Sequence, residues 1–87
     1  MVSRKTTIVN EEGFHMRAAA DFVKAVSEYQ SDITVASAEK SANGKSIMLL
    51  MAAGFKRGTE VEVTCQGEDE AALLEKACEL IDAGLGD

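Results

Sequence analysis

The period of the hydrophobic pattern changes repeatedly along this chain, and that change constrains the fold more than any other feature. Residues 60–66 alternate between apolar and polar, which is typical of a strand with one face in water. In residues 16–28 the apolar side chains recur instead at steps of three and four, which places them on one face of a helix. A chain that uses both periods is expected to fold as strands and helices around a shared core.

Applied to the whole sequence, the two periods predict the element order β-α-β-β-α-β-α. Strands are predicted at residues 2–9, 32–38, about 40–43 and 60–66, and helices at 16–28, at 47–53 and between the acidic residues 68–70 and Gly84. Three helices cannot cover both faces of a four-stranded sheet. We therefore predict an α/β (more narrowly α+β) fold, an open-faced two-layer sandwich in which the helices cover one face of an antiparallel sheet.

Length and composition indicate one globular domain, residues 1–87, with neither nucleic acid nor membrane as a partner. The chain is 46% apolar and 28% charged, as ordinary globular proteins are. Nine basic against fifteen acidic residues give a net charge of −6, which repels a nucleic-acid backbone. Residues 1–7 lead into no apolar signal segment, and no stretch is long enough to span a bilayer. We expect a cytoplasmic protein.

The two cysteines, Cys65 and Cys78, do not form a recognisable chemical motif. They are thirteen positions apart, with no CxxC spacing and no accompanying histidine, so they lack the ligands of a zinc site and the spacing of a redox pair. We predict that both are small apolar core residues, and we expect no metal and no cofactor.

His15 is the only histidine, and it lies immediately before the first predicted helix. The unpaired N–H groups and the positive dipole at a helix start favour an anion, so a phosphate carried on the ring would meet suitable donors. Arg17 follows two residues later and can direct its guanidinium at the same phosphate. A lone histidine before a helix is also often only a capping residue, so the spacing alone leaves both interpretations open.

A second candidate region surrounds the short helix predicted at residues 47–53. Ser46 is well placed to cap this helix, and Gly54 marks its end. The first five residues of the helix are all large and apolar, so one side of it must face water and is a candidate docking surface. The residues predicted for this partner-binding surface are Phe14, Met16, Ala20, Ile47, Met48 and Met51.

Two stretches of the sequence resemble the HPr family of phosphocarriers in the bacterial phosphoenolpyruvate:sugar phosphotransferase system. Residues 13–20, GFHMRAAA, are similar to the family's active-site pattern G-L-H-A-R-P-A. Residues 43–51, NGKSIMLLM, are similar to its pattern N-x-K-S-I-M-x-x-M. The likeness extends without gaps over almost the whole chain, so the resemblance implies an HPr-like sandwich.

The resemblance also implies a function for the candidate residues. His15 would accept a phosphoryl group on Nδ1 from phosphorylated enzyme I, which phosphoenolpyruvate charges, and would pass it to a histidine of an enzyme IIA domain. Arg17 would stabilise the phosphate. The chain would then be a stoichiometric carrier and not a turnover enzyme. Nothing in the sequence pattern demands more than a monomer, which is the state we expect. In some branches of the family a dedicated HPr serine kinase phosphorylates the matching serine, which makes Ser46 a candidate regulatory site and the kinase a candidate partner.

Three residues depart from the family pattern near these sites. Ala18 stands where the family has proline, Met16 where a small residue is common, and Leu49 where glycine is common. Alanine suits the first turn of a helix and adds an N–H that proline lacks, so the change preserves the helix while leaving its start less rigid. We expect these changes to affect the rate of phosphoryl transfer and the choice of partner proteins.

Two alternative functions follow from the same residues. The first is a regulatory binding module of the same fold, controlled through Ser46, with weak or lost phosphotransfer; the presence of both His15 and Arg17 argues against it. The second is a small hydrolase in which His15 acts as a general acid or base. That reaction needs a second catalytic group, and Asp21 lies six residues further along the helix, pointing elsewhere.

Overall fold

The computed structural model describes residues 1–86 and contains seven elements in the predicted order. The strands are β1 (Val2–Thr7), β2 (Asp32–Ala36), β3 (Ser41–Asn43) and β4 (Glu60–Gln66), and the helices are α1 (Met16–Val26), α2 (Ile47–Ala53) and α3 (Glu70–Asp82). The predicted bounds of β4 and α2 are confirmed. In residues 1–86, no helix is both long and apolar enough to cross a membrane.

Three predicted elements are shorter in the structure because their last residues lie in loops or turns. Strand β1 ends at Thr7, since Ile8 hydrogen-bonds to the loop at Gly58 and Thr59. Strand β2 ends at Ala36, where the Ser37 N–H donates to the Lys40 carbonyl. Helix α1 ends at residue 26 instead of 28, and a tight turn follows it. The hydrogen bonds of Ser37 and of the turn after α1 are local, whereas those of Ile8 reach the loop before β4; neither kind is visible in hydrophobic periodicity.

All four strands form one antiparallel sheet in the order β1-β4-β2-β3. Along β4, Val61, Val63 and Cys65 are buried, whereas Glu60 and Glu62 are exposed, as the alternation predicts. Helix α3 packs against β1 and β4, and α1 packs against α2 and α3. The predicted open-faced two-layer sandwich is confirmed.

Both cysteines lie in the core, as predicted. Cys65 on β4 and Cys78 on α3 are free thiols with essentially no exposed surface. Burial, followed by the influence of Cys78, raises the pKa of Cys65 to about 11, and burial likewise raises the pKa of Cys78. Thiols in this environment behave as small apolar side chains and not as nucleophiles.

The end of α1 is tied to the start of α3 by Asp69. Its carboxylate accepts hydrogen bonds from the Ser31 hydroxyl and from the backbone N–H groups of Gln30 (3.0 Å) and Ser31 (2.9 Å). The hydrogen bond from the Ser31 hydroxyl, and then the one from the Gln30 N–H, hold the pKa of Asp69 at about 2. These contacts fix the end of α1 that is opposite His15.

Candidate functional site

The loop that leads to His15 is fastened at both of its ends. At the end of β1, the Ile8 carbonyl accepts from the Gly58 N–H at 2.7 Å, and the Ile8 N–H donates to the Thr59 carbonyl at 3.0 Å. Further along, the side-chain amide of Asn10 donates to the Gly13 carbonyl at 2.7 Å, and the Gly13 N–H donates to the Asn10 carbonyl at 3.3 Å. Asn10 is buried, so water competes little for these hydrogen bonds.

Gly13 occupies a backbone conformation and a space that only glycine fits. Its φ is +59°, in the left-handed region, and a Cβ built there would lie 1.9 Å from the carbonyl oxygen of Phe55. The loop therefore lies directly against the backbone that follows α2. This close approach brings the start of α1 beside α2.

Phe14 is a core residue, which corrects the prediction that it extends the exposed docking surface. It is 5% exposed, and its ring packs edge-on against Phe22 at 5.2 Å and Phe55 at 6.3 Å between ring centroids. The left-handed turn at Gly13 directs the next side chain inward. A buried aromatic ring thus anchors the residue immediately before His15.

His15 is the N-cap residue of α1, as its position in the sequence predicts. Its backbone is extended, with φ −72° and ψ 175°, and its carbonyl accepts the first helical hydrogen bond, from the Ala19 N–H at 2.8 Å. The ring Nδ1 accepts a hydrogen bond from the Ala18 N–H at 3.5 Å. The ring is partly exposed, and Nδ1 faces the positive end of the helix.

Arg17 and Ala20 lie on either side of the buried part of this first turn. Arg17 is exposed and Ala20 is half-buried, whereas Ala18 and Ala19 face the core. Arg17 and His15 thus lie at the same end of α1, within two residues of each other. The long Arg17 side chain can reach an anion placed at the helix start.

An exposed apolar surface lies on the two helices at this end of the fold. Its members lie at the start of α1 and on the outer face of α2, which packs against α1. Met16 is 70% and Met48 78% exposed, values far above those of core residues. We call this set the apolar patch: Met16, Ile47, Met48, Leu49 and Met51. Four of these belong to the set predicted for the partner-binding surface, and Leu49 was noted beside that set as a departure from the family pattern. With five apolar residues in a row, periodicity cannot say which face is outward.

Ser46 caps α2, as predicted. Its hydroxyl accepts a hydrogen bond from the Leu49 N–H at 3.1 Å, and Gly54 ends the helix with a φ of +65°. The preceding turn is held by Asn43, which accepts from the N–H groups of Ser46 (backbone oxygen, 3.0 Å) and Lys45 (side-chain oxygen, 2.9 Å). A regulatory role for Ser46 stays a prediction.

Sequence reasoning did not identify three contacts that shape the site. Asn10 was assigned no role from the sequence, the Phe55 carbonyl had no sequence signal, and the direction of the Ala18 N–H cannot be inferred from a residue type. Asn10 carried the one usable signal, because asparagine three residues before a glycine often closes a turn with its side chain. Within residues 1–86, no three His, Cys, Asp or Glu side chains converge to hold a metal ion.

Comparisons with known proteins agree with this geometry. The family model described as "PTS HPr component phosphorylation site" matches residues 2–83. The phosphocarrier protein HPr of Haemophilus influenzae is 38% identical over 81 residues, which cover 93% of this chain and 95% of that protein. The crystal structure of HPr-C-His from Thermoanaerobacter tengcongensis superposes with a TM-score of 0.92 and 34% identity, over 100% of this chain and 98% of that one.

A longer relative contains a similar region within a larger protein. The multiphosphoryl transfer protein of Salmonella typhimurium is 36% identical over 90 residues, which cover all of this chain and 24% of that protein. The chain thus spans about a quarter of that relative but nearly the full length of the Haemophilus influenzae protein. A family match over residues 2–83, together with the same fold, shows that this chain belongs to the HPr family of phosphocarriers of the phosphotransferase system.

Proposed function

We propose that His15 accepts a phosphoryl group on Nδ1 from phosphorylated enzyme I and donates it to enzyme IIA domains, the protein acting as a stoichiometric carrier and not as a turnover enzyme. The observation that carries the proposal is the position of His15 as the N-cap of α1, with Nδ1 turned toward the helix N-terminus. An anion at that nitrogen lies at the positive end of the dipole, beside backbone donors.

The transfer step requires positioning more than covalent chemistry. The Nδ1 lone pair of His15 attacks phosphorus, the bond from phosphorus to the donor histidine breaks, and its electron pair returns to that donor nitrogen. The same exchange in reverse passes the group to the acceptor. Asn10 and the Phe55 carbonyl fix Gly13, and the buried Phe14 ring fixes the next residue, so the His15 ring starts from a fixed backbone.

Arg17 provides a positive charge next to the transferred phosphoryl group. It is exposed in the same helical turn, so its guanidinium can pair with phosphoryl oxygens as they approach Nδ1. Such pairing stabilises negative charge that is spread over the equatorial oxygens in the transition state. We propose Arg17 as the phosphate-stabilising side chain.

The apolar patch is the proposed docking surface for enzyme I and the IIA domains. It adjoins the start of α1, so a partner that covers the patch brings its own histidine to the His15 ring. Methionine side chains adapt to different surfaces, which suits one patch that must serve both a donor and several acceptors. We place the transfer in the cytoplasm, with the carrier as a monomer.

Ser46 is the proposed site of regulation by an HPr serine kinase. Its hydroxyl oxygen already faces the start of α2, so a phosphate there would meet the same backbone donors that the hydroxyl caps. The dianion would stand beside the apolar patch and add desolvation cost to docking. A regulatory module with no phosphotransfer at all is the less favoured alternative, because His15 and Arg17 are both present.

Phosphorus NMR of the protein mixed with enzyme I and phosphoenolpyruvate tests the proposal. We expect a phosphohistidine signal that acid removes, that is absent in His15→Ala and that persists in Ser46→Ala. Acid lability separates phosphohistidine from phosphoserine. Absence of the signal with the enzyme I of the same organism, in protein shown to be folded, contradicts the carrier function and favours the regulatory module.

A further inference from the structure

We propose that the backbone N–H of Ala18 is a phosphate-positioning donor that holds His15 Nδ1 before transfer and binds a phosphoryl oxygen afterwards. This inference rests on the proposed function, because it concerns the same nitrogen. The strength of this one hydrogen bond would then influence how stable the phosphohistidine is.

The first observation is the hydrogen bond itself. The Ala18 N–H donates to His15 Nδ1 at 3.5 Å, which is a long contact, and it is the side-chain cap of α1. Ala18 lies at the third position of the helix, where an N–H has no carbonyl partner within the helix. The lone pair that this N–H engages is the one that must attack phosphorus.

The second observation is burial. Ala18 is 1% exposed, so water does not readily satisfy its N–H. A buried donor needs an acceptor in every stable state of the protein. When Nδ1 forms its bond to phosphorus, the lone pair is used and the ring can no longer accept. Phosphorus takes the place of that hydrogen bond, so the ring must turn aside, and the acceptors that the transferred group then offers to this N–H are its oxygens. A donor to an anionic oxygen makes a stronger hydrogen bond than one to a neutral ring.

A consequence follows for carriers that differ at this position. Proline, which the family pattern places here, has no N–H and cannot make either hydrogen bond. With alanine the phosphorylated form gains a donor, so this chain should hold its phosphoryl group more firmly than its own Ala18→Pro variant. Phosphate should therefore pass from the variant to the wild type when the two exchange through enzyme I.

The matched control is a proline at the same helical position elsewhere. Ala72 is the third residue of α3, is exposed, and follows an N-cap, Asp69, that makes no side-chain cap hydrogen bond. Proline is tolerated in the first turn of a helix, so Ala72→Pro tests the general effect of proline without touching His15.

The experiment compares the phosphorylated proteins by hydrolysis rate and by amide NMR. We expect the phosphohistidine of Ala18→Pro to hydrolyse about tenfold faster than that of the wild type, and that of Ala72→Pro to stay within about twofold, as suits one hydrogen bond to a charged group. In the wild type, the Ala18 amide proton should move downfield on phosphorylation by more than any other amide proton of α1. This second measurement needs no variant and therefore does not depend on the folding of Ala18→Pro.

Two results would overturn the inference: an Ala18 amide proton that does not move when His15 is phosphorylated, or equal hydrolysis rates in folded Ala18→Pro and wild type. If enzyme I does not phosphorylate the wild type, the proposed carrier function fails. The Ala18 inference is then decided on protein phosphorylated chemically at His15 with phosphoramidate, so the two failures are distinguishable.

Discussion

Replacing Gly13 by alanine places a methyl group where the structure has no room for it. The new Cβ would lie 1.9 Å from the Phe55 carbonyl oxygen and 3.1 Å from its carbonyl carbon, both backbone atoms that cannot turn away as a side chain does. The φ of +59° adds strain of its own, because a residue with a Cβ is disfavoured there. The backbone must shift before the substitution fits.

The two costs can be estimated separately. A left-handed conformation costs a residue with a Cβ about 1–2 kcal/mol. Forcing a methyl group into filled space costs about 1–3 kcal/mol. Gly13→Ala is therefore expected to lose about 2–5 kcal/mol, a large share of the roughly 5–15 kcal/mol that stabilises a small domain.

Gly54→Ala is the matched control, because it introduces the same backbone strain without a steric clash with another residue. Its φ is +65°, close to that of Gly13, but a Cβ there would meet no heavy atom within 4 Å. Its expected loss is only the conformational part, about 1–2 kcal/mol. The difference between the two variants isolates the contact with Phe55.

Urea unfolding followed by circular dichroism measures both losses. At an m value of about 1–2 kcal/mol/M, unchanged between variants, the midpoint of Gly13→Ala should fall by more than about 1 M and by clearly more than that of Gly54→Ala. Equal losses in the two variants would refute the close approach to Phe55. Because the same contact positions the start of α1, amide resonances of residues 14–18 should also shift in Gly13→Ala and stay unchanged in Gly54→Ala.

Four further predictions concern the parts of the protein around this loop. Asn10→Ala leaves a buried carbonyl unsatisfied and should lower the free energy of unfolding by about 1–3 kcal/mol, measured by urea denaturation; a loss no larger than that of an exposed substitution would contradict the hydrogen bond. Ser46→Ala removes the cap of α2 and should cost about 1 kcal/mol in the same assay, with no loss expected if the cap is not formed in solution. The pKa of Asp69 is lowered from 3.8 to about 2 in the folded protein, so its stabilisation is complete above the unfolded value and is lost as the pH falls to about 2; Asp69→Asn should flatten this part of the curve of melting temperature against pH, and a curve identical to that of the wild type would oppose the assignment. Cys65 and Cys78 should react with a thiol reagent at about pH 8 only as fast as the protein unfolds, because burial raises both pKa values; rapid labelling of the folded protein would contradict their burial.

Much of the fold follows from the sequence because its signals are local. The alternation of residues 60–66 places β4, and Ser46 and Gly54 bound α2 correctly because capping depends on residue type at each helix end. The change of period also placed His15 immediately before α1, where the structure has it as the N-cap residue. In each case the deciding atoms lie within a few residues of one another.

What the tertiary structure decided depends on residues that are far apart in the sequence. Phe14 turns inward because a left-handed glycine precedes it and the rings of Phe22 and Phe55 receive it, which no local pattern encodes. Gly13 has no room for a side chain because the Phe55 carbonyl, which follows α2, lies directly against it. The sequence by itself therefore determined which elements form and placed His15, the proposed phosphoryl acceptor, immediately before α1. Packing between distant segments decided how that residue is held, because direction and close contact are set by whichever groups meet in space.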